Sequence, residues 1–115
     1  MLKIILSFFF IMSPTLSYSH SQLTEILPRE NVVYSKTPPE IILKFRSQVK
    51  LVKIDLNNIN KKNQKFKLNL DTFDKRAKEF VISMPKISSG KYNILWRALS
   101  PDGHIIKGKS EFEVK

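Results

Sequence analysis

The chain has 115 residues, no cysteine and a formal charge of +10 from 20 basic and 10 acidic side chains. That length fits one small domain with one core, and the missing thiols exclude disulfides and cysteine-ligated metal sites. The lysines are scattered, whereas a phosphate-reading surface gathers its cations with stacking aromatics, so nucleic-acid binding is not expected; only loose attraction to anionic membrane surfaces stays open.

Residues 1–19 read as a secretory leader. Lys3 supplies the positive start and "IILSFFFIM" (4–12) the apolar segment. Ser17 and Ser19 put small residues three and one positions before a cut. The apolar run is shorter than the roughly 20 residues that span a bilayer. A cut before His20 leaves a domain of residues 20–115, with net charge +9 once Lys3 is removed. Cuts after Ser17 or Ser21 compete, as do an uncleaved anchor and a buried first strand.

From there the pattern is β. Residues 24–39 read as an initial strand followed by an extended loop. "EIILKF" (40–45) is a nearly continuous apolar run. "LVKIDL" (51–56) alternates, with Val52, Ile54 and Leu56 expected on one face. "NNINKKNQKFK" (57–67) looks like a polar hairpin loop, and "KFKLNL" (65–70) puts Phe66, Leu68 and Leu70 together. "EFVISM" (79–84) aligns Phe80, Ile82 and Met84, and "KYNILWRA" (91–98) aligns Tyr92, Ile94, Trp96 and Ala98. "SEFEVK" (110–115) ends the chain with Phe112 and Val114 on one face. A side-chain period of two indicates strands buried on one side. Pro38, Pro39, Pro85, Gly90, Gly103 and Gly108 punctuate them. "FDKRAKEF" (73–80) could form one helical turn, but no segment sustains a helical stripe. The pattern predicts an all-β sandwich or barrel.

The chain has two histidines, His20 and His104. No nucleophile elbow and no clustered glycine loop accompanies them. A chain that starts at His20 presents two nitrogen donors on one residue, the α-amine and the ring Nδ1. His104 adds a third nitrogen, and Asp102 adds an oxygen or orients an imidazole from behind. Asp102 and His104 share a side if the segment is extended. Three nitrogens and one oxygen in a tetragonal arrangement suit Cu(II), with Ni(II) next; an open zinc site is a further use of such donors. Taken singly, His104 reads as a turn histidine and His20 as a polar residue beside the leader. Trp96 reads as core, and Arg97 as surface or a structural ion pair.

In these residues the chain resembles the CopC copper-resistance family of exported proteins. The resemblance lies in His20 after the leader, Pro28, Pro38 with "IILKF" (41–45), "SSGKYNILWRALSPDGHIIKG" (88–108) and "FEV" (112–114). The run from Gly90 to His104 is its most specific part. It implies an Ig-like or cupredoxin-like fold, a small antiparallel Greek-key β-sandwich or barrel. It implies a monomeric periplasmic chaperone or buffer, not an enzyme, that carries one Cu(II) per chain on His20, Asp102 and His104. An inner-membrane copper transporter would then be a partner. Two departures stand out. Some relatives have a methionine-rich loop for Cu(I), whereas here Met1 and Met12 lie in the leader and Met84 stands alone. Some relatives place a carboxylate where this chain has Ser47, so water would fill a fourth position. Two other readings stay open: a metal-free β-sandwich interaction domain, and a copper monooxygenase acting on polysaccharides through the same histidine chelate.

Overall fold

A computed structural model describes residues 22–62, 64–70 and 73–115. The leader, His20 and the start of the 20–115 domain lie outside the described residues. Within them run seven strands: β1 (Leu23–Leu27), β2 (Val32–Tyr34), β3 (Glu40–Asn58), β4 (Gln64–Phe66), β5 (Ala77–Ser83), β6 (Gly90–Leu99) and β7 (Ile105–Val114). The all-β expectation is borne out.

One strand organises the rest. β3 is 19 residues long and serves two sheets. Residues 40–45 pair antiparallel with β1 on one side and β5 on the other. Residues 50–58 pair antiparallel with β6, and residues 56–58 also with β4. β6 continues the second sheet to β7, and β7 to β2. The β2 and β7 pair runs parallel, so the sheet is mixed rather than wholly antiparallel. The stretch expected to be an extended loop therefore contains a short strand, held by a partner some eighty positions away: Val32 opposite Phe112.

The core is built from the alternating residues. Ile41, Leu43 and Phe45 of β3, Phe80 and Ile82 of β5, Tyr92, Ile94, Trp96 and Ala98 of β6, and Phe112 and Val114 of β7 are all buried together. Met84, Phe66, Leu68 and Leu70 pack against them, although regular pairing of β4 stops at Phe66. The 73–80 segment makes no helical turn; Phe73 stands edge-on to Phe80 with ring centres 5.5 Å apart. Phe45 bridges the two sheets, edge-on to Phe80 at 6.0 Å and to Trp96 at 5.3 Å. Such aromatic pairs add about 0.5–1.5 kcal/mol each beyond the area they bury.

Two local details correct the sequence reading. Between Leu51 and Lys53 the register of β3 against β6 slips. The extra residue at this bulge turns Val52 outward, and Leu51 joins Ile54 and Leu56 inside. Gly108 faces Trp96 across the β6 and β7 pair, and a β-carbon there would stand 2.6 Å from the indole. The glycine is required by the ring that lies on it.

Candidate metal site at the end of the β6 and β7 hairpin

β6 ends at Leu99 and β7 begins at Ile105, and these two residues are paired. Residues 100–104 close the hairpin. The backbone N–H of Ser100 donates to the carbonyl of His104 at 2.8 Å, and the N–H of Gly103 donates to the carbonyl of Ser100 at 3.0 Å. Gly103 has φ of 91°, in the left-handed region that disfavours a β-carbon. The segment is thus a tight turn, not the extended stretch expected from the two-residue spacing.

The turn still brings the two predicted side chains together. Asp102 Oδ2 and His104 Nδ1 are 3.0 Å apart. The other carboxylate oxygen, Oδ1, accepts from the Ser100 hydroxyl and from the His104 N–H at 3.3 Å. Ser100 Oγ also accepts from that N–H at 3.2 Å. Ser100 is buried, whereas the side chains of Asp102 and His104 are 70% and 81% exposed. The exposed pair is at the tip and its support is below. The Ser100 hydroxyl first, and then His104, holds the Asp102 carboxyl down to about 2 from its usual 3.8. Both groups hydrogen-bond to the ionised form and so favour it.

Sequence reasoning missed two supporting residues. Ser100 reads as a generic turn residue, and only its burial shows that it fastens Asp102. Arg76 carries no local signal at all. Its Nη1 lies 3.4 Å from the Gln48 carbonyl, 3.2 Å from that of Leu99 and 3.1 Å from that of Ser100. It ties the middle of β3 to the last residue of β6 and the first residue of the turn.

The middle of β3 also meets the start of the described chain. Leu23 pairs with Phe45, and Leu99 pairs with Lys50. A cleft lined by Leu23, Ile26, Trp96 and Gly108 confirms that β1 lies against the hairpin. The beginning of β1 and the 100–104 turn therefore occupy the same end of the molecule. Among the described residues no third His, Cys, Asp or Glu side chain joins Asp102 and His104. His20 lies outside the described residues.

Comparison with known proteins gives a consistent result. Residues 23–115 match the CopC domain family. Among solved structures, CopC from Methylosinus trichosporium OB3b is 24% identical with a TM-score of 0.65, covering 84% of this chain and 94% of that one. PcoC from Escherichia coli, a methionine-rich copper resistance protein, is 24% identical with a TM-score of 0.66, covering 82% of this chain and 97% of that one. At this identity the likeness shows a shared fold. No curated protein matches the chain.

Proposed function

The chain belongs to the CopC family, whose domain spans residues 23–115, and on that premise we propose that it is an exported, periplasmic Cu(II)-binding protein. Copper is its cargo. One ion is carried per chain by a monomer that catalyses no reaction. The ligands are the α-amine and ring of His20, with Asp102 and His104. An inner-membrane copper transporter is the partner that fits this role.

The observation that carries the reading is the strand register at the bend of β3. It brings the start of β1 to the end of the molecule where Asp102 and His104 meet. His20 is three residues before Leu23, and three extended residues reach about 10 Å. Two donors alone would hold copper weakly. A third and fourth donor, both nitrogens of one terminal residue, complete a set that suits tetragonal Cu(II).

The turn geometry supports a direct role for both side chains. Two ligand atoms at right angles on one ion, each about 2.0–2.1 Å from it, stand about 2.9 Å apart. Asp102 Oδ2 and His104 Nδ1 have that spacing. Held by this pair, an ion would be bound by Asp102 Oδ2 and by His104 Nδ1, with the neutral ring carrying its proton on Nε2. Ionised at any physiological pH, Asp102 needs no deprotonation before it can bind a cation. The chain contains three methionines and places only Met84 among the described residues, against the core. Among the described residues a thioether site for Cu(I) would have Met84 as its one sulfur.

The test is a Cu(II) titration followed by EPR on the protein with a free His20 amine, beside the same protein carrying one extra N-terminal residue. Stoichiometric binding with a nitrogen-rich tetragonal spectrum, weakened by the extension, is expected. Equal and weak binding by both proteins would leave the metal-free interaction domain as the better account.

A further inference from the structure

We propose that the outer face of β3, β6 and β7 is a docking surface for an acidic segment of a partner protein, centred on Lys53, Arg97 and Lys107. The register sets Lys53 opposite Arg97, and Arg97 opposite Lys107. Three cations thus stand in one row across three neighbouring strands. Like charges directly opposite each other destabilise a sheet, so the Arg97 and Lys107 pair is a cost to folding. Lys53 has Asp55 at 3.7 Å. Among the described residues, neither Arg97 nor Lys107 has a carboxylate within 4.0 Å. Both are exposed.

The surroundings favour a protein over other anions. Lys53, Leu95, Arg97 and Lys107 line a shallow cavity of about 240 Å³ together with one carboxylate, Asp55, which is already paired with Lys53 and Lys65. Val52, Leu95 and Ile105 are three of the five large apolar side chains exposed among the described residues. Val52 sits on the bulge beside Lys53, Leu95 lies two positions before Arg97, and Ile105 lies two positions before Lys107. Exposed apolar groups with an arginine among them and charge around them fit the anatomy of an interface, an apolar centre with a polar rim. Among the described residues the aromatic side chains of β6, Tyr92 and Trp96, are buried and offer no stacking platform for a base on this face. The face is also polarised. Farther along the face Lys109 stands 3.4 Å from Glu111 and Lys91 is opposite Glu113, so cations and carboxylates alternate there, whereas at the near end Arg97 and Lys107 face each other.

That end is the functional one. Arg97 and Lys107 are two positions along their strands from the pair Leu99 and Ile105, about 7 Å from the base of the 100–104 turn. A carboxylate-bearing partner drawn to the row is steered to the side of Asp102 and His104, and Arg97 can take a carboxylate in a two-pronged grip. The proposal does not rest on copper being the cargo, and its test needs no metal.

The test is an NMR titration of the protein isolated from cells expressing the whole chain. The probe is a synthetic dodecapeptide of repeated Glu, Asp and Leu. Amide shifts confined to the outer face around Lys53, Leu95, Arg97 and Lys107 are expected. The double variant Arg97→Glu/Lys107→Glu should bind the peptide about tenfold more weakly. Lys61→Glu/Lys62→Glu, with the same change in charge on the β3 to β4 turn, should bind within about twofold of the parent. Arg97→Gln/Lys107→Gln removes the like-charge pair without setting two glutamates opposite each other, so its melting temperature should be no lower than the parent's, and it serves if the reversal misfolds. Equal losses in both charge-reversal variants would reduce the face to diffuse charge and overturn the proposal. So would tight binding to phosphatidylglycerol vesicles through this row with no shift from the peptide.

Discussion

Two polar clusters sit at opposite ends of β6, and they are built on opposite principles. At the first end, Asn57, Asn58, Tyr92 and Asn93 are buried. Asn57 Nδ2 donates to Asn93 Oδ1 at 2.9 Å, and Tyr92 OH donates to the Ser88 carbonyl at 2.7 Å. Asn58 Oδ1 accepts from the N–H groups of Asn60 and Lys61 at 2.9 and 3.2 Å, which fixes the turn into β4. At the second end, Ser100 is buried but Asp102 and His104 stand in solvent. The first cluster closes on itself, while the second ends in a carboxylate and an imidazole free to take a further partner. Burial of a polar group demands satisfaction, so a buried asparagine network is a fastening. An exposed acid and base supported from beneath keep their outer atoms open to solvent.

The contrast can be broken first at the closed end. Asn58→Ala removes the acceptor of two backbone N–H groups in a buried position, and such a loss costs about 2–3 kcal/mol. Thermal or urea unfolding should show that drop, while Cu(II) affinity of the folded variant stays unchanged. A variant that lost copper as well would mean the two ends are coupled.

Arg76→Ala gives a smaller and differently distributed effect. Losing the contacts to Gln48, Leu99 and Ser100 should cost about 1 kcal/mol of stability. It should also broaden the Cu(II) EPR spectrum and raise the off-rate, because the base of the turn is freed. Arg76→Lys, which keeps the charge but not the fork, should recover the stability only in part. An unchanged spectrum in Arg76→Ala would make the residue purely structural.

Ser100→Ala and the titration of Asp102 sharpen the comparison at the open end. Because the folded carboxyl is lowered to about 2, its contacts contribute stability above the ordinary 3.8 and lose it as pH falls through about 2. Carbon-detected NMR should place the Asp102 midpoint near that value. Ser100→Ala should move it upward, toward 3.8, since the hydroxyl is the leading cause of the shift. A midpoint in the variant equal to the parent's would show that His104 alone sets it.

The sequence made most of this legible, and the exceptions have physical causes. Strands β5 and β6 and the second half of β7 are visible because alternation follows from a side-chain period of two, whereas the first half of β7 was hidden by Gly108, which reads as a break but lies inside the strand. The pairing of Asp102 with His104 was visible too, though for the wrong reason, since a turn rather than an extended segment joins them. The bulge at Val52 was hidden because one inserted residue inverts alternation without any change of composition. The continuity of β3 was hidden by polar residues at its bend, Arg46 to Gln48, where the strand passes between sheets. β2 depends on a partner far along the chain, and Arg76 depends on where three carbonyls converge. Neither leaves a local signal. His20 rests on the leader and the family resemblance.

The most direct test of the account is Cu(II) binding by His104→Ala and by the protein with one residue added before His20, each read by EPR beside the parent. Each change alone should lower affinity by two orders of magnitude or more, roughly the cost of losing one ligand of a tetragonal site, and each should remove nitrogen hyperfine structure. Retention of the parent spectrum by either variant would contradict the claim that the mature terminus and the 100–104 turn share one ion.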